Sequence, residues 1–166
     1  MDGLTFASAK EMLLNRIAAI YNDHSYLLEG TQVQENNRKV FERLADEVSG
    51  SPTDAMLKTS IVLLMRLMRN HYGKPVILLI DEYDVPIAKA SAKGYYPEML
   101  EVIKGLMSTA LKDNDALRFA VITGCLRIAK ESIFTGTNNF VSDTISSSHL
   151  NEYFGFTQAD VDQILK

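Results

Sequence analysis

The sequence predicts an α/β fold, and three observations carry that prediction. Two short apolar runs, Val76–Ile80 and residues 119–123, read as strands. A helical pattern of ordinary crossover length separates them, which is the layout of a βαβ unit with parallel strands. The rest of the chain repeats apolar residues at helical spacing.

Taken in order, "SAKEMLLNRIAAIY" predicts a helix opened by a capping box of Ser8 and Glu11. Its buried face would hold Met12, Leu13, Ile17, Ile20 and Tyr21. "QVQENNRKVFERLADEV" repeats Val33, Val40, Phe41, Leu44 and Val48 and ends near Gly50. The third helix, "SPTDAMLKTSIVLLMRLMRNHYGKP", has Ser51 available as cap and Pro52 in the first turn, and Gly73-Lys74-Pro75 stops it. The strand Val76–Ile80 is uniformly apolar rather than alternating, which predicts helices on both faces. "PEMLEVIKGLMSTALKDN" predicts a helix burying Met99, Val102, Ile103, Leu106, Met107 and Ala110. "RFAVITG" is the second buried strand. The tail "FGFTQADVDQILK" restarts a helix capped by Thr157, with Val161, Ile164 and Leu165 apolar.

With 166 residues the chain is long enough for one domain with a real core. Its net charge of −4 gives no field that favours nucleic acid. A single cysteine, Cys125, excludes an internal disulfide and a CxxC metal site, and reads as a small buried apolar residue. His24, His71 and His149 lack zinc-motif spacing and read as surface or packing residues. The apolar runs are too short to cross a bilayer and the N-terminus lacks signal-peptide character, so the expectation is a cytoplasmic protein without a membrane partner.

The chemistry concentrates at "KPVILLIDEYDVPI", where the first strand runs into Asp81, Glu82 and Asp84. In open α/β sheets, ligands bind beyond the carboxyl ends of the strands. An apolar strand ending in Asp-Glu is the Walker B arrangement of nucleotide-hydrolysing proteins. On that reading Asp81 holds Mg2+, because Mg2+ takes a few carboxylates together with phosphates and water. Glu82 orients or deprotonates the attacking water. Thr123, ending the neighbouring strand, is placed to hydrogen-bond that water or the phosphate. The bland alternative is that Asp81 and Glu82 cap the next helix or face solvent, and that Thr123 is a plain strand-end threonine. Arg127 and Lys130 follow the second strand and suit a phosphate contact, a subunit interface or a solvated surface.

Four stretches together resemble the AAA-ATPase-like family of bacterial and archaeal proteins: "PVILLIDEYDVPI", "GYYPEMLEVIKGLMSTALKDN", "LRFAVITGCLRIAKESIFTGTNNF" and "EYFGFTQADVDQIL". The resemblance implies a P-loop NTPase-like three-layer fold and ATP with Mg2+ as cofactors, and often a fused restriction-endonuclease-like domain. It implies Asp81 and Glu82 as the Walker B pair, with Asp81 binding the metal. Thr123 then lies where the sensor strand ends, and Arg127 is a nucleotide-contact candidate. The family's phosphate loop, G-x-x-x-x-G-K-[ST], does not occur here. The only Gly-Lys pair is Gly73-Lys74, followed by Pro75 and preceded five residues earlier by Met68. The expectation is therefore an incomplete domain, the portion after the phosphate loop. The resemblance also implies that the absent strand would lie beside the second strand, leaving an apolar edge open to self-association. Two other functions compete. One is a non-catalytic interaction module with a degenerate site. The other is a metal-dependent nuclease using Asp81, Glu82 and Asp84, for which the second strand lacks the expected carboxylate-x-lysine pair.

Overall fold

The computed structural model describes residues 3–29, 33–46, 52–125, 140–144, 147 and 155–165. Helix α1 (Phe6–Asp23) is followed by a 3-10 turn (Ser25–Leu28), then α2 (Glu35–Ala45) and α3 (Asp54–Tyr72). Strand β1 (Val76–Ile80) leads into α4 (Val85–Lys93) and α5 (Tyr96–Leu111), and the chain returns as β2 (Leu117–Ile122). Helix α6 (Gln158–Ile164) comes last. Among the described residues the fold is α/β, mostly helical, with a small parallel sheet of two strands.

Helix starts follow local chemistry, not always at the residue predicted. Thr5, not Ser8, caps α1: its hydroxyl accepts from the Ser8 amide while the Ser8 side chain returns to the Thr5 amide. The cap therefore sits three residues earlier than the Ser8–Glu11 box would place it. Ala9, Ile17, Ala18 and Tyr21 are buried on this helix, whereas Met12 and Ile20 are exposed. Thr53 caps α3 through the Met56 amide; Ser51 lies outside the described residues, as do Val48 and Gly50. Gly73 ends α3 at φ 65°, a left-handed turn that glycine adopts without strain, and its amide bonds the Arg69 carbonyl.

The main core lies between the helices. Tyr21 is buried against Phe41 with ring centroids 4.7 Å apart, and its hydroxyl donates to the Ser60 carbonyl at 2.6 Å, joining α1, α2 and α3. Burial raises the Tyr21 pKa well above its ordinary range. Helices α3 and α5 approach closely at Gly105, where a Cβ would come within 2.6 Å of the Lys58 side chain. There the Thr109 hydroxyl bonds the Lys58 carbonyl, and Lys58 pairs with Glu101 at 2.7 Å. The predicted stripe of α5, from Met99 to Ala110, is buried throughout.

The strands show why uniform apolarity misleads here. Val76 pairs with Leu117 but Ile77 pairs with Phe119, so Arg118 forms a bulge. The bulge brings Leu117, Ala120 and Ile122 into phase with Val76, Leu78 and Ile80, and this face packs on Ile61, Met65 and Ala110 from α3 and α5. The opposite face, with Ile77, Leu79, Phe119 and Val121, is exposed. The expectation of helices on both faces thus holds for one face only among the described residues. Helix α4 was not anticipated: "VPIAKASAK" is only nine residues long and buries just Ile87 and Ala90, too short a pattern to stand out in the sequence. No helix among the described residues is long and apolar enough to cross a membrane.

Candidate functional site

The carboxyl ends of β1 and β2 meet at Asp81, Glu82 and Thr123. The two strands run in parallel, so Ile80 faces Ile122 and the next residues leave the sheet side by side. The Thr123 amide bonds the Ile80 carbonyl at 2.9 Å, and its own carbonyl accepts from the Tyr83 amide at 3.1 Å. This backbone frame aims the Thr123 hydroxyl at the Asp81 carboxylate, to which it donates. The same hydroxyl oxygen accepts a long bond, 3.4 Å, from the Glu82 amide.

Glu82 itself has φ 53°, a left-handed conformation that costs a non-glycine residue about 1–2 kcal/mol. The turn closes behind it, with the Val85 amide donating to the Glu82 carbonyl at 3.1 Å. Asp81 and Glu82 are both exposed. Neither caps α4; the capping position belongs to Asp84, whose side chain makes no cap bond to that helix.

Asp84 plays a different part from its two acidic neighbours. Its side chain is buried, 2% exposed, and one carboxylate oxygen accepts from the Cys125 amide at 3.1 Å. It ties the start of α4 to the chain leaving β2 and does not join an outward-facing carboxylate cluster, which removes the third ligand of the nuclease alternative. Cys125, expected to be buried, is exposed; its backbone rather than its thiol is what the fold uses.

Gly124 shows why the neighbouring position must be small. A Cβ there would stand 2.6 Å from the Tyr83 ring and 2.7 Å from the Asp84 carboxylate. Burial and the adjacent Asp84 charge both raise the Tyr83 pKa. The Tyr83–Asp84–Gly124 clamp was missed in the sequence, although a glycine directly after an apolar strand is its visible trace.

The donor set can be tested for Mg2+. That ion takes one or two protein carboxylates and fills its remaining positions with phosphate and water. Asp81, exposed and with one oxygen engaged by Thr123, fits that requirement, with Glu82 beside it. No group of three or more His, Cys, Asp or Glu side chains positioned to hold a metal exists among the described residues. Arg127 and Lys130 lie outside the described residues.

The profile of the family described as "Predicted AAA-ATPase" matches residues 8–134, most of the chain. The chain belongs to the AAA-ATPase-like family. Both strands, their acidic end and Gly124 fall within the matched span. The AAA-ATPase-like chain is also 36% identical over 96 residues to an uncharacterized protein in the vnfD 5′ region of Azotobacter chroococcum mcd 1. That alignment covers 55% of this chain and 18% of the relative, so the chain spans less than a fifth of the relative it matches. No solved structure matches it.

Proposed function

We propose that this AAA-ATPase-like chain carries the cation-holding and water-activating half of an ATP-hydrolysing site, and that hydrolysis requires a phosphate loop absent from its sequence. The observation that supports this most is the hydrogen bond from Thr123 to Asp81 across adjacent parallel strands, with Glu82 beside it. A mere helix cap would not need it, and Asp84 occupies the capping position instead.

Bound Mg2+ would neutralise phosphate charge. Asp81 would hold it, and the Thr123 hydroxyl would fix the orientation of that carboxylate. Glu82 would accept a proton from the attacking water at its exposed carboxylate. Its left-handed backbone turns the residue out of the strand direction at the mouth of the sheet. Arg127 is the proposed contact for phosphate.

Two experiments test the reading. Isothermal titration of Mg-ATP into this chain should give no measurable heat, because the principal phosphate cradle is missing; micromolar affinity would contradict it. In a polypeptide where a phosphate loop precedes this region, Glu82→Gln should cut hydrolysis at least about 100-fold while leaving ATP binding largely intact. Unchanged hydrolysis would exclude Glu82 as the water-activating residue and leave the non-catalytic module as the better account.

A further inference from the structure

Asp84 carries a buried carboxylate that the proposed hydrolysis does not use. Its side chain is 2% exposed, and burying a carboxylate is costly unless bonds offset its lost hydration. Asp84 stands at the capping position of α4, where an aspartate ordinarily bonds a first-turn amide of its own helix. It makes no such bond. The carboxylate reaches instead across to the exit of the other strand, where it accepts from the Cys125 amide at 3.1 Å.

The post on which Asp84 stands is firm. Its carbonyl accepts from the Ile87 and Ala88 amides at 3.1 and 2.8 Å, which opens α4. Ile87 and Ala90 are fully buried and seat that helix in the core. The segment it holds is less secure. Thr123, Gly124 and Cys125 are all exposed, and hydrogen bonds near solvent open more readily than those of a core. Gly124 lies flat against the same carboxylate, since a Cβ there would stand 2.7 Å from it.

We propose that Asp84 is the positioning residue of the strand-end site: by holding the Cys125 amide it keeps the Thr123 hydroxyl on the Asp81 carboxylate, and so sets the affinity of that carboxylate for a divalent cation. Two backbone bonds frame Thr123, from its own amide to the Ile80 carbonyl and from the Tyr83 amide to its carbonyl. Neither needs a particular side chain. The Asp84 bond lies two residues further on and does need one. It closes the frame beyond Thr123, so that the chain leaving β2 does not peel away from the chain leaving β1. Hydrogen-bond partners of metal ligands orient them, and losing one costs about 10–100-fold in metal affinity. Only the cation affinity rests on Asp81 as the proposed cation ligand; the tie from Asp84 to Thr123 does not.

The test compares Asp84→Ala with Asp84→Asn by NMR. Side-chain couplings of Thr123, recorded without metal, report whether its hydroxyl holds one rotamer. Broadening of the Asp81 amide during a Mn2+ titration reports affinity. Asp84→Ala should leave Thr123 averaging over rotamers and weaken Mn2+ binding about tenfold. Asp84→Asn keeps an acceptor oxygen for the Cys125 amide and should retain the rotamer and most of the affinity. Should Asp84→Ala fail to fold, Cys125→Pro deletes the donor amide from the other side and should give the same two changes. A fixed Thr123 rotamer in either variant, with or without a lower Tm, marks a purely structural role and overturns the proposal. Asp84→Asn behaving like Asp84→Ala would assign the effect to charge alone and overturn it too. Absence of broadening at Asp81 in the unchanged chain would refute the cation site itself; the Thr123 couplings, which need no metal, would still decide whether Asp84 positions that hydroxyl.

Discussion

Glu82 holds a left-handed backbone conformation that its side chain does not favour, and it does so beside the residue that the hydroxyl of Thr123 engages. Such strain persists only where neighbouring bonds over-determine it, and here the Val85 and Tyr83 amides supply that frame. Glu82→Gly should raise stability by about 1 kcal/mol by removing the strain, measured by chemical denaturation. Unchanged or lower stability would show that the side chain contributes more to folding than its exposure implies. Gly124→Ala should act in the opposite direction. Its Cβ would intrude on the Tyr83 ring and the buried Asp84 carboxylate, and the strand end should lose about 1–3 kcal/mol. A neutral result would mean that Tyr83 swings aside without cost.

Among the elements, the three N-terminal helices meet at Tyr21, whose hydroxyl serves the Ser60 carbonyl. Tyr21→Phe should cost about 1 kcal/mol, read from urea midpoints. The raised pKa adds a pH signature. The folded state keeps the phenol proton longer than the unfolded state, so this group's contribution is intact below about pH 10 and is lost as pH rises above that value. Tyr21→Phe should therefore blunt alkaline destabilisation; an unaltered alkaline limb would assign it elsewhere. On the acid side, Lys10 holds the Asp54 carboxyl below its usual range and links α1 to α3. Its contribution is present above about pH 4 and lost as pH falls further, and its exposure makes it small.

Most elements were legible because their signals are local. The α5 stripe, the Gly73 stop and the Thr157 cap each depend on residues a few positions apart. Asp81 and Thr123 were legible as a pair because an apolar strand announces where it ends. The rest needed the third dimension. Five consecutive apolar residues cannot tell whether one face or two is covered, and the Arg118 bulge depends on pairing with β1. Asp84 reads in sequence as a third ligand because nothing local reveals that its partner is the amide of Cys125.

For the whole molecule, two surfaces await partners. The open sheet face exposes Ile77, Leu79, Phe119 and Val121. The outer edge of β2 has no strand beside it among the described residues, and we propose that it supports concentration-dependent self-association. Light scattering across a concentration series should show mass rising with concentration; a constant monomer mass at high concentration would count against it. The central claim concerns neither surface but the acidic strand end as the cation-holding half of a nucleotide site. Its most direct test is amide NMR of this chain with Mn2+ as a paramagnetic stand-in for Mg2+. Broadening should begin at Asp81, Glu82, Thr123 and Gly124, be reversed by excess Mg2+, and disappear in Asp81→Asn. Broadening centred elsewhere, or unchanged in Asp81→Asn, would contradict the account.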